Sequence, residues 1–142
     1  MKKYRFILAI NAIATIPIGY AVRFSPLLPE WFRNLFGNVA YETLLILLLL
    51  LAVPKMKPIV AAISVCLFSF VIEFSQLSQD PILVAARSNP IGRLILGNGF
   101  TWEDFPLYML GSFIGWAWVT QLRRYSQMQN DTIGSSIKSR YF

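Results

Sequence analysis

Three acidic residues, Glu42, Glu73 and Asp104, lie in or beside long apolar runs. A carboxylate there can act as an acid or base, pair with a guanidinium, or accept hydrogen bonds from a polar ligand. Arg23, Arg87 and Arg93 are candidate partners, Gln76 follows Glu73 by three positions, and Tyr108 follows Asp104 by four. Such spacings put side chains on one face of a helix. Glu73 with Gln76, and Asp104 with Tyr108, thus form two short polar stripes. Together with Arg87 and Arg93 they suggest a mixed-charge pocket for a polar headgroup or amphiphile.

Two features of composition narrow the chemistry. The chain has no histidine, which removes Ser-His-Asp and Cys-His catalysis and most zinc and haem sites. Its one cysteine, Cys66, is flanked by Val65 and Leu67 and reads as packing rather than as a nucleophile. The stretch from Gly92 to Gly99 lacks the Lys-Ser/Thr ending of a phosphate loop, so no nucleotide, metal or other cofactor is expected.

The elements that position these residues follow from hydropathy. Of the 142 residues, 56% are apolar and only 14% are charged, a balance that would make a water-soluble domain of this size aggregate. The apolar residues form runs near the roughly 20 residues needed to cross a bilayer. Four spans are expected, at about 6–22, 38–53, 59–77 and 102–122, all helical because lipid offers no partner to backbone polar groups. The fold class is therefore all-α, an integral membrane bundle of four helices. The first span could be read as a signal peptide, but an uncleaved helix is the preferred reading.

Between the third and fourth spans, Asp80-Pro81 is a helix-start signal, and the apolar pieces ending near Arg87 and Leu96 suggest short interfacial helices. Turns are expected at Asn89-Pro90 and at Gly97 to Gly99, and Thr101 and Asp104 have the spacing of a capping box. From Ser126 onward the chain is polar and reads as a mobile cytoplasmic tail.

Basic residues orient the bundle. Nine fall on one side (Lys2, Lys3, Arg5, Lys55, Lys57, Arg123, Arg124, Lys138 and Arg140) and four on the other (Arg23, Arg33, Arg87 and Arg93). The positive-inside rule then puts both termini in the cytoplasm, and it accounts for the net charge of +6 without a nucleic-acid partner. With about 1.5 Å of rise per residue, the three carboxylates gather near the outer leaflet. An arginine is expected beside Glu73, in the order Arg87, Arg23, Arg93. Glu42 is expected to snorkel to the interface or pair with an arginine. Gly111 and Gly115 form a small-xxx-small motif suited to helix packing.

The segments Ile72-Glu73-Phe74-Ser75-Gln76-Leu77 and Leu96-Gly97-Asn98-Gly99-Phe100-Thr101-Trp102-Glu103-Asp104, with Arg23, Arg87, Tyr108 and Gly111, resemble the bacterial domain-of-unknown-function family numbered 2809. The resemblance spans roughly residues 5 to 120. The chain is also similar, more distantly, to VanZ-like membrane proteins, which share a Glu-x-x-Gln helix followed by an Arg and an Asp. The resemblance implies a multi-pass protein of the bacterial inner membrane with no established activity; the VanZ-like group is associated with glycopeptide resistance. Some members of the first family carry a ribosome-maturation label, which the membrane-oriented basic residues do not support.

Three functions compete on these residues. The leading one is a non-catalytic envelope protein that binds membrane lipid, or a lipid-linked or amphiphilic ligand, in the outer pocket. Another is a membrane enzyme using Glu73 or Asp104 as acid or base on a lipid-linked substrate. The last is a structural module that packs through Gly111 and Gly115 against a second copy or another membrane protein.

Overall fold

A computed structural model describes residues 1–97 and 99–141, the side chains of Leu94 and Tyr141 excepted. Asn98, in the expected Gly97 to Gly99 turn and the Gly-rich motif, lies outside the described residues. The described residues form six helices and no strand: α1 (Lys2–Arg23), α2 (Glu30–Ala52), α3 (Pro58–Ser75), α4 (Pro81–Arg87), α5 (Pro90–Leu96) and α6 (Asp104–Tyr141). α1, α2 and α3 are each long and apolar enough to cross a membrane.

The helix ends follow local chemistry. Pro58 occupies the first turn of α3, where its missing N–H costs nothing, and Pro81 and Pro90 do the same in α4 and α5. The Asp80 carboxylate accepts from the Ile82 N–H at 2.9 Å and the Asn89 side chain from the Gly92 N–H at 2.7 Å. Gly97 closes α5 with φ of 73°, a backbone conformation that favours glycine.

Two boundaries depart from the hydropathy reading. α2 begins at Glu30 rather than near 38, because Arg33, Asn34 and Asn38 interrupt the apolar run without interrupting the helix. Asn38 donates back to the Asn34 carbonyl at 3.0 Å, and Asn34 accepts from Arg23 at 2.8 Å. The polar tail from Ser126 onward, expected to be mobile, is likewise helical through Tyr141. It contains no proline, and Gln129 and Thr132 each bond one turn back, to Tyr125 and Met128.

The packing sets an apolar exterior around an interior that includes buried polar groups. Ile13, Ile63, Leu67, Val71 and Phe113 are exposed on the outside, whereas Glu42, Ser69, Glu73 and Ser112 are buried within. Such an apolar exterior is compatible with a membrane protein. α2 and α6 pack directly on each other, and α1 and α3 each pack on both. Near the α2–α3 link the interior is apolar, built from Leu8, Ile46, Leu47, Leu50, Val65 and Val119. Toward the opposite end it becomes polar. The candidate site lies there.

Candidate functional site

On α3, Ser69, Glu73 and Gln76 face the interior at helical spacing, and on α6 Tyr108 and Ser112 do the same. Because α3 and α6 run in opposite directions, these stripes meet in two layers about one turn apart.

In the outer layer, Glu73 is fully buried. One carboxylate oxygen accepts from the Thr101 backbone N–H at 2.6 Å, and the other from the Tyr108 hydroxyl at 2.9 Å. The inner layer centres on Glu42, also fully buried, whose two oxygens accept from the Ser69 and Ser112 hydroxyls, the latter at 2.6 Å. Each carboxylate thus ties together segments far apart in sequence, and each does so through neutral donors. A buried acceptor loses about 1 to 3 kcal/mol if its donors are removed, so both layers hold the helix rotation as well as the helix contacts.

This arrangement corrects several expectations. None of the hydrogen bonds described for Glu73 comes from an arginine, because the chain returning from Gly97 lays the Thr101 amide over the carboxylate and Tyr108 supplies the second donor. Arg87 instead donates to the Ser75 carbonyl at 2.6 Å, where a cation also complements the C-terminal dipole of α3. Arg23 lies along α2, bonded to Asn34 and packed against Gly37. Arg93 is exposed on α5. Glu42 neither snorkels nor meets an arginine among its hydrogen bonds; the two serines satisfy it. Glu73 itself has no exposed surface.

The Thr101–Asp104 spacing also works differently from a capping box. Glu73, from another helix, takes the Thr101 N–H that Asp104 would have received. Asp104 is half-buried beside Asn38, near enough to Glu73 and Arg23 to feel both charges. Gln76 is buried and donates to the Leu96 carbonyl at 2.6 Å, locking the end of α5 to the end of α3. Tyr41 adds a third tie, donating to the Ile95 carbonyl at 3.3 Å. The α4–α5 segment is therefore held over the polar end of the bundle by side chains reaching carbonyls of α3 and α5.

The chain matches, over residues 27–112, the model of a family described as "Protein of unknown function (DUF2809)". It belongs to that family. The matched DUF2809 region contains both carboxylate layers, the α4–α5 segment and Gly111, and it stops short of Arg23 and Gly115. No solved structure matches the chain.

Gly111 and Gly115 are occupied within the DUF2809 chain itself. A Cβ on Gly111 would lie 3.0 Å from both Cβ and Cγ of Glu42, and one on Gly115 would lie 2.8 Å from Cδ1 of Ile46. The small residues let α6 approach α2 closely, and in doing so they bring Ser112 to Glu42. A partner packing through these glycines would have to displace α2. Ser69 stands four residues before Glu73, and Ser112 stands four residues after Tyr108 and beside Gly111. That spacing was the available signal.

Proposed function

We propose that this DUF2809 protein spans the bacterial inner membrane four times, with both termini in the cytoplasm, and binds the polar headgroup of an amphiphile at its outer end. The fourth span is the first half of α6, which has no charged residue between Asp104 and Arg123. Those 18 residues rise about 27 Å, near the thickness of the hydrocarbon core. Their mean hydropathy is lowered by uncharged residues, chiefly Gln121 and Pro106, rather than by charge. Met109, Phe113 and Trp118 face outward like the apolar residues of the other three helices. The nine-to-four bias of Lys and Arg supports the orientation, and α4 and α5 then lie along the outer interface.

The observation that carries the binding reading is a pair of buried, unpartnered polar atoms where α3 ends beneath the α4–α5 segment. Among the described residues, Gln76 Oε1 accepts no hydrogen bond and Arg87 Nε donates none. Buried polar groups are normally satisfied, and a polar headgroup could serve both, its hydroxyl or amide donating to Gln76 and its phosphate or carbonyl accepting from Arg87. Entry requires the α4–α5 segment to lift, which also uncovers Glu73. The reading is one of binding: the two carboxylates already hold internal donors, and their structural work needs no reaction. Lipid and lipopeptide binding by the purified protein in detergent tests it. Gln76→Leu and Arg87→Gln should each weaken binding about tenfold, corresponding to roughly 1.4 kcal/mol. Equal binding by wild type and both variants would remove the outer site.

A further inference from the structure

At the other end of the bundle, a cleft of about 520 Å³ opens between the start of α3 and the middle of α6. Lys57, Arg123 and Arg124 line it, and no acidic side chain does. Three cations at one concave site repel each other unless an anion joins them. Arg123 is already fixed in place, half-buried and donating to the Met56 carbonyl at 3.3 Å.

Two further features point to the kind of anion. Lys57, Pro58 and Ile59 form the start of α3, and no side chain caps it. The first amides of an uncapped helix, with the positive end of its dipole, attract phosphate oxygens. Beside them Thr120, half-buried and part of the same lining, has a hydroxyl with no hydrogen-bond partner among the described residues. Trp116 and Ile59 make the rest of the wall apolar. A cationic rim above an apolar wall suits an amphiphile whose head is an anion.

We propose that this cleft holds the phosphodiester headgroup of an anionic phospholipid of the inner leaflet. Lys57, Arg123 and Arg124 neutralise the phosphate, the Thr120 hydroxyl and the α3 amides hydrogen-bond its oxygens, and Trp116 packs against the glycerol and upper acyl chain. The depth assigned to the cleft rests on the four-span topology. At that depth basic pockets between helices meet anionic headgroups directly. The proposed outer site is at the opposite end and shares none of these residues.

The test compares lipid retention by the full chain purified in detergent, read by native mass spectrometry, after exchange into mixtures of phosphatidylglycerol or cardiolipin with phosphatidylcholine. The wild type should retain the anionic lipids preferentially. Arg123→Gln/Arg124→Gln should lose that preference by at least about tenfold, whereas Lys55→Gln/Lys138→Gln, with the same change in net charge, should keep it. Thr120→Val, a mild change of shape, should weaken retention without altering thermal stability. Inorganic phosphate in excess should not displace the lipid. Equal loss in both double variants would mean unspecific charge attraction and overturn the proposal, as would displacement by free phosphate or absence of any anionic preference. Retention in detergent does not depend on orientation. A failed topology would therefore show in reporter fusions while the binding result stood, and a failed outer site would leave this one unaffected.

Discussion

Replacing Glu73 by leucine tests whether the outer carboxylate layer fastens the bundle. The substitution keeps an apolar side chain in the interior but leaves two donors without an acceptor: the Tyr108 hydroxyl, on a residue only 8% exposed, and the Thr101 amide at the start of the turn into α6. A buried donor stripped of its partner costs about 1 to 3 kcal/mol, and the partly buried Thr101 amide belongs at the lower end of that range. Glu73→Leu should therefore destabilise the protein by roughly 2 to 4 kcal/mol. Glu73→Gln keeps one acceptor oxygen but turns an NH2 group toward one of the two donors, and should cost about 1 to 2 kcal/mol. Equilibrium unfolding in mixed detergent, followed by circular dichroism, measures both. A double-mutant cycle with Tyr108→Phe isolates the contact: the two changes remove the same hydrogen bond, so their combined cost should fall short of the sum by about 1 kcal/mol. A Glu73→Leu protein within about 0.5 kcal/mol of wild type, or strictly additive energies, would refute the assignment of Glu73 as the clasp between α3 and α6.

Gly111→Leu should cost about 1 to 3 kcal/mol in the same unfolding assay by forcing α6 off Glu42 and Val39, whereas Gly134→Leu, with nothing near its Cβ position, should not destabilise the fold. Gly97→Ala places a side chain on a backbone with φ of 73° and against the Gln76 amide, so residues 90–101 should exchange their amide hydrogens faster while the α1–α2 contact is unchanged. Unaltered exchange there would mean that Gln76 does not hold α5 down. Reporter fusions that signal cytoplasmic location should be active at the C-terminus and near Lys55 and inactive after Gly97; an externally accessible C-terminus would overturn the four-span reading.

Much of the architecture was readable because it depends on local composition. Apolar runs, the proline and asparagine signals at Asp80-Pro81 and Asn89-Pro90, and the alternation of basic segments are properties of neighbouring residues. They led to the all-helical class, to three of the four expected spans and to the two short helices near their observed bounds. Even where polar residues hid the first two turns of α2, the error was one of extent, since hydropathy reports the surrounding solvent and not where a helix begins. The helical stripe on α3 was legible too, because a spacing of three or four residues is written directly in the sequence.

Partnership was not legible. Glu73 called for an arginine on the general ground that a buried charge needs a counter-charge, yet its donors are a backbone amide 28 residues away and a hydroxyl 35 residues away. Glu42 and Ser112, 70 residues apart, meet only because Gly111 lets α6 lie close against α2. Neither pairing can be deduced from spacing, since it depends on the rotation of each helix about its axis and on how closely two backbones approach. A backbone N–H is present at every residue but proline, so no sequence motif marks the one that will cap a distant carboxylate. The sequence determined which faces are polar and which helices are apolar enough to cross a membrane; only tertiary packing decided which donors close over each acid, because that depends on helix rotation and on how closely two backbones approach.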